Sequence, residues 1–455
     1  MSEEPARSLV PIGQKFKSAR LECVEMTDEE FRKAMIDERK NKKAKVAQLE
    51  LVKVSKGRAE DTTGGFQGPW APFEEEHSLV APGPSPKEIA QHTAELAAAS
   101  KALKVHRVDH GKERCILHGD DDISYFKAPS EEECGRDLSQ GSGLIYHPPA
   151  GKLLHTWIGH EKAVSSIDFF PQSGHLLLSA SMDCRIKLWD VYRHGKERPC
   201  VRTLIGHNKP VKEALFSPDG SLIVSLSFDR HSKAWDTETG SCLTRLKHRR
   251  VPYCAAQHPS SPDNIVVGCA DGSIMQWDLR SGKAELEYFE HQSPVNSIVF
   301  LDEQRFVSAS DDLSLKTWDL SNSGSKRTLN LKEYDAINCV KLHPKGALAC
   351  QSLSSQIVAL EVEDDALGKR VSEAAKVYSG HNTSGYACKL EVSPDGRCLT
   401  SGDGKGFLFF WDWKSAQITK RFKAHDQACV DVAWNPQEAN RVATCSWDGV
   451  IKYWS

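Results

Sequence analysis

Residues 173–190 read SGHLLLSASMDCRIKLWD, two apolar runs separated by a turn at Asp183, the second run closing on Trp189-Asp190. That closing pair returns at Trp235-Asp236, Trp277-Asp278, Trp318-Asp319 and Trp411-Asp412, at intervals of 41 to 51 residues once Leu360 is placed in the long gap. A final Trp454-Ser455 ends the chain, so seven units fit. A histidine precedes the tryptophan by 27 to 30 residues in six of them: His160, His207, His248, His291, His381 and His425. An aspartate stands six residues before the tryptophan in five: Asp183, Asp229, Asp271, Asp312 and Asp448. The period is that of a four-stranded blade. A histidine held between a buried hydroxyl and an aspartate has both ring nitrogens satisfied inside a packed sheet, which explains why these residue types recur together. Ser179 or Ser181 in the first unit, and Ser308 or Ser310 in the fourth, are placed to supply the hydroxyl. These side chains read as blade braces rather than as catalysts.

The histidine, aspartate, serine and tryptophan pattern resembles the WD40 family over residues 152–455. The predicted fold is all-β, a seven-bladed WD40 β-propeller. Its last unit stops before its outer strand, so residues 152–158 are expected to supply that strand and close the ring. Blade five is the weakest, with Ser354, Leu360 and Tyr334-Asp335 at the aspartate, tryptophan and Gly-His positions; its neighbours are expected to hold it. Residues 1–151, rich in Lys, Glu, Ala and Pro, are predicted to be a charged, largely extended or disordered arm with short helices.

Composition narrows the function. Residues 1–58 hold 14 basic and 10 acidic side chains, 59–143 hold 8 and 16, and 144–455 hold 37 and 36. A dipolar arm on a nearly neutral propeller implies no broad nucleic-acid surface. None of the 14 cysteines forms a Cys-x-x-Cys pair, which removes the commonest zinc and redox motifs. Lipase-type elbows, zinc-protease motifs, Walker loops and kinase motifs are missing too. The sequence therefore predicts no enzyme, no cofactor, no metal site and no small-molecule substrate. No apolar run approaches the roughly 18 residues of a membrane span, so a cytosolic or nuclear protein is expected.

Contact candidates lie mostly in the arm. Residues 27–59 read as a solvated helix opened by Thr27 and Glu30, with a basic cluster around Lys40, Lys42 and Lys43 that suits nuclear import, phosphate contact or simply an exposed face of mixed charge. Residues 64–73, GGFQGPWAPF, set Trp70 and Phe73 in a Gly/Pro frame that cannot be helical; they are expected either to anchor a partner or to fold back onto the propeller. Alanine-rich residues 87–105 read as a second helix. In the propeller, Arg249, Arg250 and Tyr253 at the entry to blade three form a basic loop that suits phosphates and a base, an acidic partner, or solvent.

Several strings point further: Ser173 through Trp189, Asp236-Thr237-Glu238-Thr239-Gly240, Arg250-Val251-Pro252-Tyr253-Cys254, Ser401-Gly402-Asp403-Gly404 and Lys423-Ala424-His425-Asp426. With Gly68-Pro69-Trp70-Ala71 and Ile116-Leu117-His118 ahead of the propeller, they resemble the WD40-bearing second-step pre-mRNA splicing factors over about residues 64–455. The resemblance implies a nuclear, non-enzymatic spliceosome component that promotes exon ligation. Its implied partners are spliceosomal core proteins and the U2, U5 and U6 snRNPs, with direct snRNA or pre-mRNA contact through the arm. A different reading comes from Trp277-Asp278-Leu279-Arg280, which resembles the box by which WD40 substrate receptors dock on cullin-type ubiquitin ligases.

Overall fold

Trp189 and its counterparts each close the third strand of a four-stranded antiparallel sheet. In blade one Val164–Phe169, Leu176–Ser181, Arg185–Asp190 and Cys200–Ile205 pair in that order. The same meander repeats at 211–247, 252–288, 295–330, 337–378 and 390–423. The computed structural model describes residues 107–110, 113–118, 125–129, 144–192, 200–331, 333–365, 368–383 and 385–455. Helices expected over 27–59 and 87–105, and the candidate contacts Lys40, Lys42, Lys43, Trp70 and Phe73, lie outside these residues.

Blade seven takes three strands from the end of the chain, Cys429–Trp434, Val442–Ser446 and Val450–Trp454, and its fourth, Leu153–Ile158, from before blade one. Trp157 sits opposite Ile451 in that pairing. The ring is thus closed by backbone hydrogen bonds between distant parts of the sequence, and the architecture is a seven-bladed β-propeller.

Successive strand residues point to opposite faces, and here both faces are covered. Leu177 packs with Trp157, Trp189, Ala443 and Tyr453 between blades seven and one, whereas Leu178 packs with Leu204, Ala214 and Trp235 between blades one and two. This explains why middle strands read as continuous apolar runs rather than as alternating ones. Leu176, Leu177 and Leu178 are all sealed from water. Blade five follows the same rule without its tryptophan, since Leu360 is fully buried with Leu348, Cys350 and Val358.

The turn between the second and third strands requires a left-handed residue in every blade. Cys184, Arg230, Leu313 and Ser355 adopt φ between 64° and 68° there, and Gly272, Gly406 and Gly449 fill the same position in the other three. A Cβ at Gly272 would stand 2.4 Å from the His291 carbonyl oxygen, so glycine is demanded at that blade.

The expected arm is partly built into the propeller. Arg107–His110 and Glu113–Leu117 form a hairpin that pairs with Cys200–Ile205 and widens blade one to six strands. Phe126 packs edge-on against Phe170 at 5.8 Å, and the Tyr125 carbonyl lies 3.0 Å from His175 Nε2. Tyr146 lies beneath blades six and seven. Its amide donates to Asp395 at 2.8 Å, its hydroxyl donates to the Pro436 carbonyl at 2.6 Å, and its ring meets Trp434 edge-on at 5.7 Å. Described residues before position 151 are thus packed against the sheets of the propeller.

Candidate functional site

Four blades contain a complete side-chain brace. In blade one the Trp189 indole N–H donates to Ser179 Oγ at 2.9 Å, Ser179 lies 2.8 Å from His160 Nε2, and His160 Nδ1 lies 2.8 Å from Asp183. Blade two repeats this with Trp235, Ser225, His207 and Asp229, and blade four with Trp318, Ser308, His291 and Asp312. Blade seven uses Thr444 as the hydroxyl between Trp454 and His425, with Asp448 at 3.3 Å from the ring. The aspartate fixes the proton on Nδ1, leaving Nε2 to accept from the hydroxyl. Burial lowers the pKa of His160, His207 and His291 despite the carboxylate beside each. For Asp229 burial works the other way, but the hydrogen bond and charge of His207 together with the Asn208 and His231 amides outweigh it and bring it to about 2. Both ring nitrogens of each of these four histidines are engaged within the blade, and the rings are almost sealed from water.

Blades three and six depart from the pattern. Val267 occupies the hydroxyl position of blade three, so the buried Trp277 indole N–H has no partner among the described residues. His248 turns to Ser232 at 2.7 Å, and Asp271 is engaged by Ser273 instead. At blade six His381 Nε2 lies 2.7 Å from the Gln351 amide of blade five, while Trp411 donates to the Ser379 carbonyl. Asp271, Trp277, His381 and Trp411 are thus in register with the other blades but outside any complete brace.

The central channel is spanned by charge that the sequence did not reveal. Lys389 of blade six reaches Glu213 of blade two at 2.6 Å and Asp431 of blade seven at 3.5 Å, and below them Lys341 meets Glu391 at 2.6 Å. Burial alone would lower both ammonium groups, yet the surrounding carboxylates hold them above the ordinary lysine range. Asp168 faces the same channel, where burial pushes it up to about 7 against the Phe216 amide, 2.9 Å away. Among the described residues no group of His, Cys, Asp or Glu is arranged to hold a metal ion.

The remaining candidate surface lies on the brace-bearing face, where the basic loop at blade three divides. His248 is buried, and Arg245 on the outer strand pairs with Glu113 of the N-terminal hairpin. Arg249 and Arg250 stay exposed. A cleft of about 550 Å³ opens beside them, lined by Lys209, Phe228, Arg230, Arg250, Val251, Ala270 and Asp271. Tyr253 is half-buried, with Lys212 Nζ 3.7 Å from its ring centre and Phe228 edge-on at 6.5 Å. Lys209 and Arg230, on loops of the preceding blade, complete a cluster of which the sequence exposed only one side.

Comparison with known proteins places this geometry in a family. The WD domain, G-beta repeat family matches residues 151–190, 198–236, 372–412 and 416–455, and the nucleolar protein 10-like N-terminal domain family matches 247–359. Human Pre-mRNA-processing factor 17 is 41% identical over 401 residues, spanning 86% of this chain and 67% of the human protein. The chain belongs to the pre-mRNA-processing factor 17 family. The mouse member shows the same identity and coverage, and the Saccharomyces cerevisiae member is 29% identical over 420 residues, spanning 90% of this chain and 89% of its own length. A WD40 propeller is what the spacing of Trp189, His160 and Asp183 led one to expect, and the family is the one that the string Ser173 through Trp189 resembles.

Proposed function

We propose that the chain is a non-enzymatic splicing factor of the nucleus that promotes the second step, exon ligation, by positioning other components. The observation that carries this reading is the 41% identity to human Pre-mRNA-processing factor 17 over 86% of the chain. The geometry supports a positional role, because four of the blade histidines and their aspartates are held in blade braces and the described residues present a rigid ring. Its partners are spliceosomal core proteins and the U2, U5 and U6 snRNPs, with direct snRNA or pre-mRNA contact through the N-terminal arm, residues 1–151.

A ubiquitin-ligase receptor role is not favoured. Arg280 is exposed but tied to Asp263 at 2.6 Å, an arrangement that an ordinary blade corner explains. Immunopurification of the chain from nuclear extract tests the splicing reading: U2, U5 and U6 snRNAs are expected in the eluate, and their absence alongside recovery of a cullin adaptor would reverse the ranking.

A further inference from the structure

We propose that the cleft between blades two and three binds single-stranded RNA, gripping phosphates with Lys209, Arg230 and Arg250 and offering Phe228 as the wall against which a base stacks. Three cations line it, and neither they nor the neighbouring Arg249 has an ion-pair partner among the described residues. What marks the cleft is the convergence of Lys209, Arg230 and Arg250 on one opening that Phe228 also lines. One carboxylate, Asp271, which accepts from the Ser273 hydroxyl at 2.6 Å, also lines the cleft, so the three lining cations outnumber it. A cluster of unneutralised guanidinium groups repels itself unless an anion fills it, and its planar forks match phosphate oxygens.

Arg230 sharpens the case. It occupies the left-handed turn position held by Cys184, Leu313, Ser355 or glycine in the other six blades, and it is the one cation among the seven. The geometry asks for a polyanion. The choice of RNA over an acidic peptide rests on the splicing reading above and on Phe228, whose half-buried ring gives a base a stacking surface beside the cations. The cleft's volume suits one nucleotide unit.

The full-length chain and a fluorescein-labelled uridine dodecamer test this by fluorescence anisotropy across a salt series. Arg230→Gly with Arg250→Ala is expected to weaken binding about tenfold and to reduce the slope of log affinity against log salt by about 1.4, two single-strand phosphate contacts. The glycine is compatible with the turn, so the variant keeps its melting temperature. Arg421→Ala, an exposed cation on the outer strand of blade six, is expected to change neither quantity. The N-terminal basic cluster contributes equally to both proteins and cancels in the comparison. Photocrosslinking of a 4-thiouridine oligomer to the peptide containing Phe228 supports the assignment. Unchanged affinity and slope, a loss equal to that of Arg421→Ala, or tighter binding of oligoglutamate than of RNA each overturns it. If the double variant binds the oligomer as the parent does while the chain still co-purifies with snRNAs, only the cleft assignment falls, and the splicing reading stands apart from it.

Discussion

Glu113 and Lys233 lie 120 positions apart in sequence and meet at 2.7 Å, both almost sealed from water. Lys233 also donates to the Gly206 carbonyl at 2.6 Å, and Arg245 closes over the other carboxylate oxygen. The N-terminal hairpin is therefore locked to blade two by an ion pair as well as to blade one by strand pairing.

Removing one partner of such a pair leaves the other charge buried and alone. Glu113→Ala is expected to destabilise the propeller by about 3 to 5 kcal/mol, while Glu113→Ala with Lys233→Met recovers much of the loss. Chemical denaturation of the two variants against the parent checks this. Equal losses in single and double variants would show that the hairpin, not the charge pair, is responsible.

Trp157 fastens the ring. It is almost fully buried, with Trp189 at 6.5 Å on one side and Tyr453 at 5.7 Å on the other. Trp157→Ala is expected to cost about 3 to 5 kcal/mol and to make blade seven the first site of proteolytic cleavage. Limited trypsinolysis followed by mass spectrometry reads the outcome; first cleavage in another blade would contradict the clasp role.

Blade three offers a gain rather than a loss. Val267→Thr places a hydroxyl where blade seven has Thr444, within reach of the unpartnered Trp277 indole, and is expected to stabilise by about 1 kcal/mol. The same change at buried Val224, where no such donor waits, is expected to destabilise by about 1 to 3 kcal/mol. Melting temperatures of the two variants compare them directly.

Acid destabilises the ring. Burial holds His248 and His381 at about 4, below the roughly 6.5 of an unfolded chain. The stability they confer is present above about 6.5 and is lost as the pH falls from there towards 4. Asp229 adds a loss below about 4, its unfolded value, as the pH moves towards 2. Asp168 runs the other way: raised to about 7, it favours the fold below about 4 and withdraws that contribution as the pH rises through 7. The melting temperature is expected to fall from pH 7 to pH 5, and Asp168→Asn, which retains an acceptor for the Phe216 amide, to raise it most at pH 8. A melting temperature constant from pH 7 to 4 would contradict the histidine argument.

The periodic parts of the molecule were readable because each blade is a local unit. Trp189, Asp183 and His160 fall within 30 residues of one another, so their spacing survives in the sequence. What escaped is non-local. The hairpin at Glu113–Leu117 is too short to announce itself and pairs with a strand more than 80 residues later, and Lys389 reaches Glu213 across 176 positions. Lys209 and Arg230 sit on separate loops and join Arg250 only when blades two and three pack side by side. Asp271 held the right register but lost its histidine, because Val267 removed the hydroxyl that would have oriented the ring.

Splicing of a labelled pre-mRNA in nuclear extract depleted of this protein tests the central claim most directly. The account predicts that lariat intermediate and free first exon accumulate and that adding back the full-length chain restores ligated exons. Ligated exons forming at the undepleted rate would contradict it.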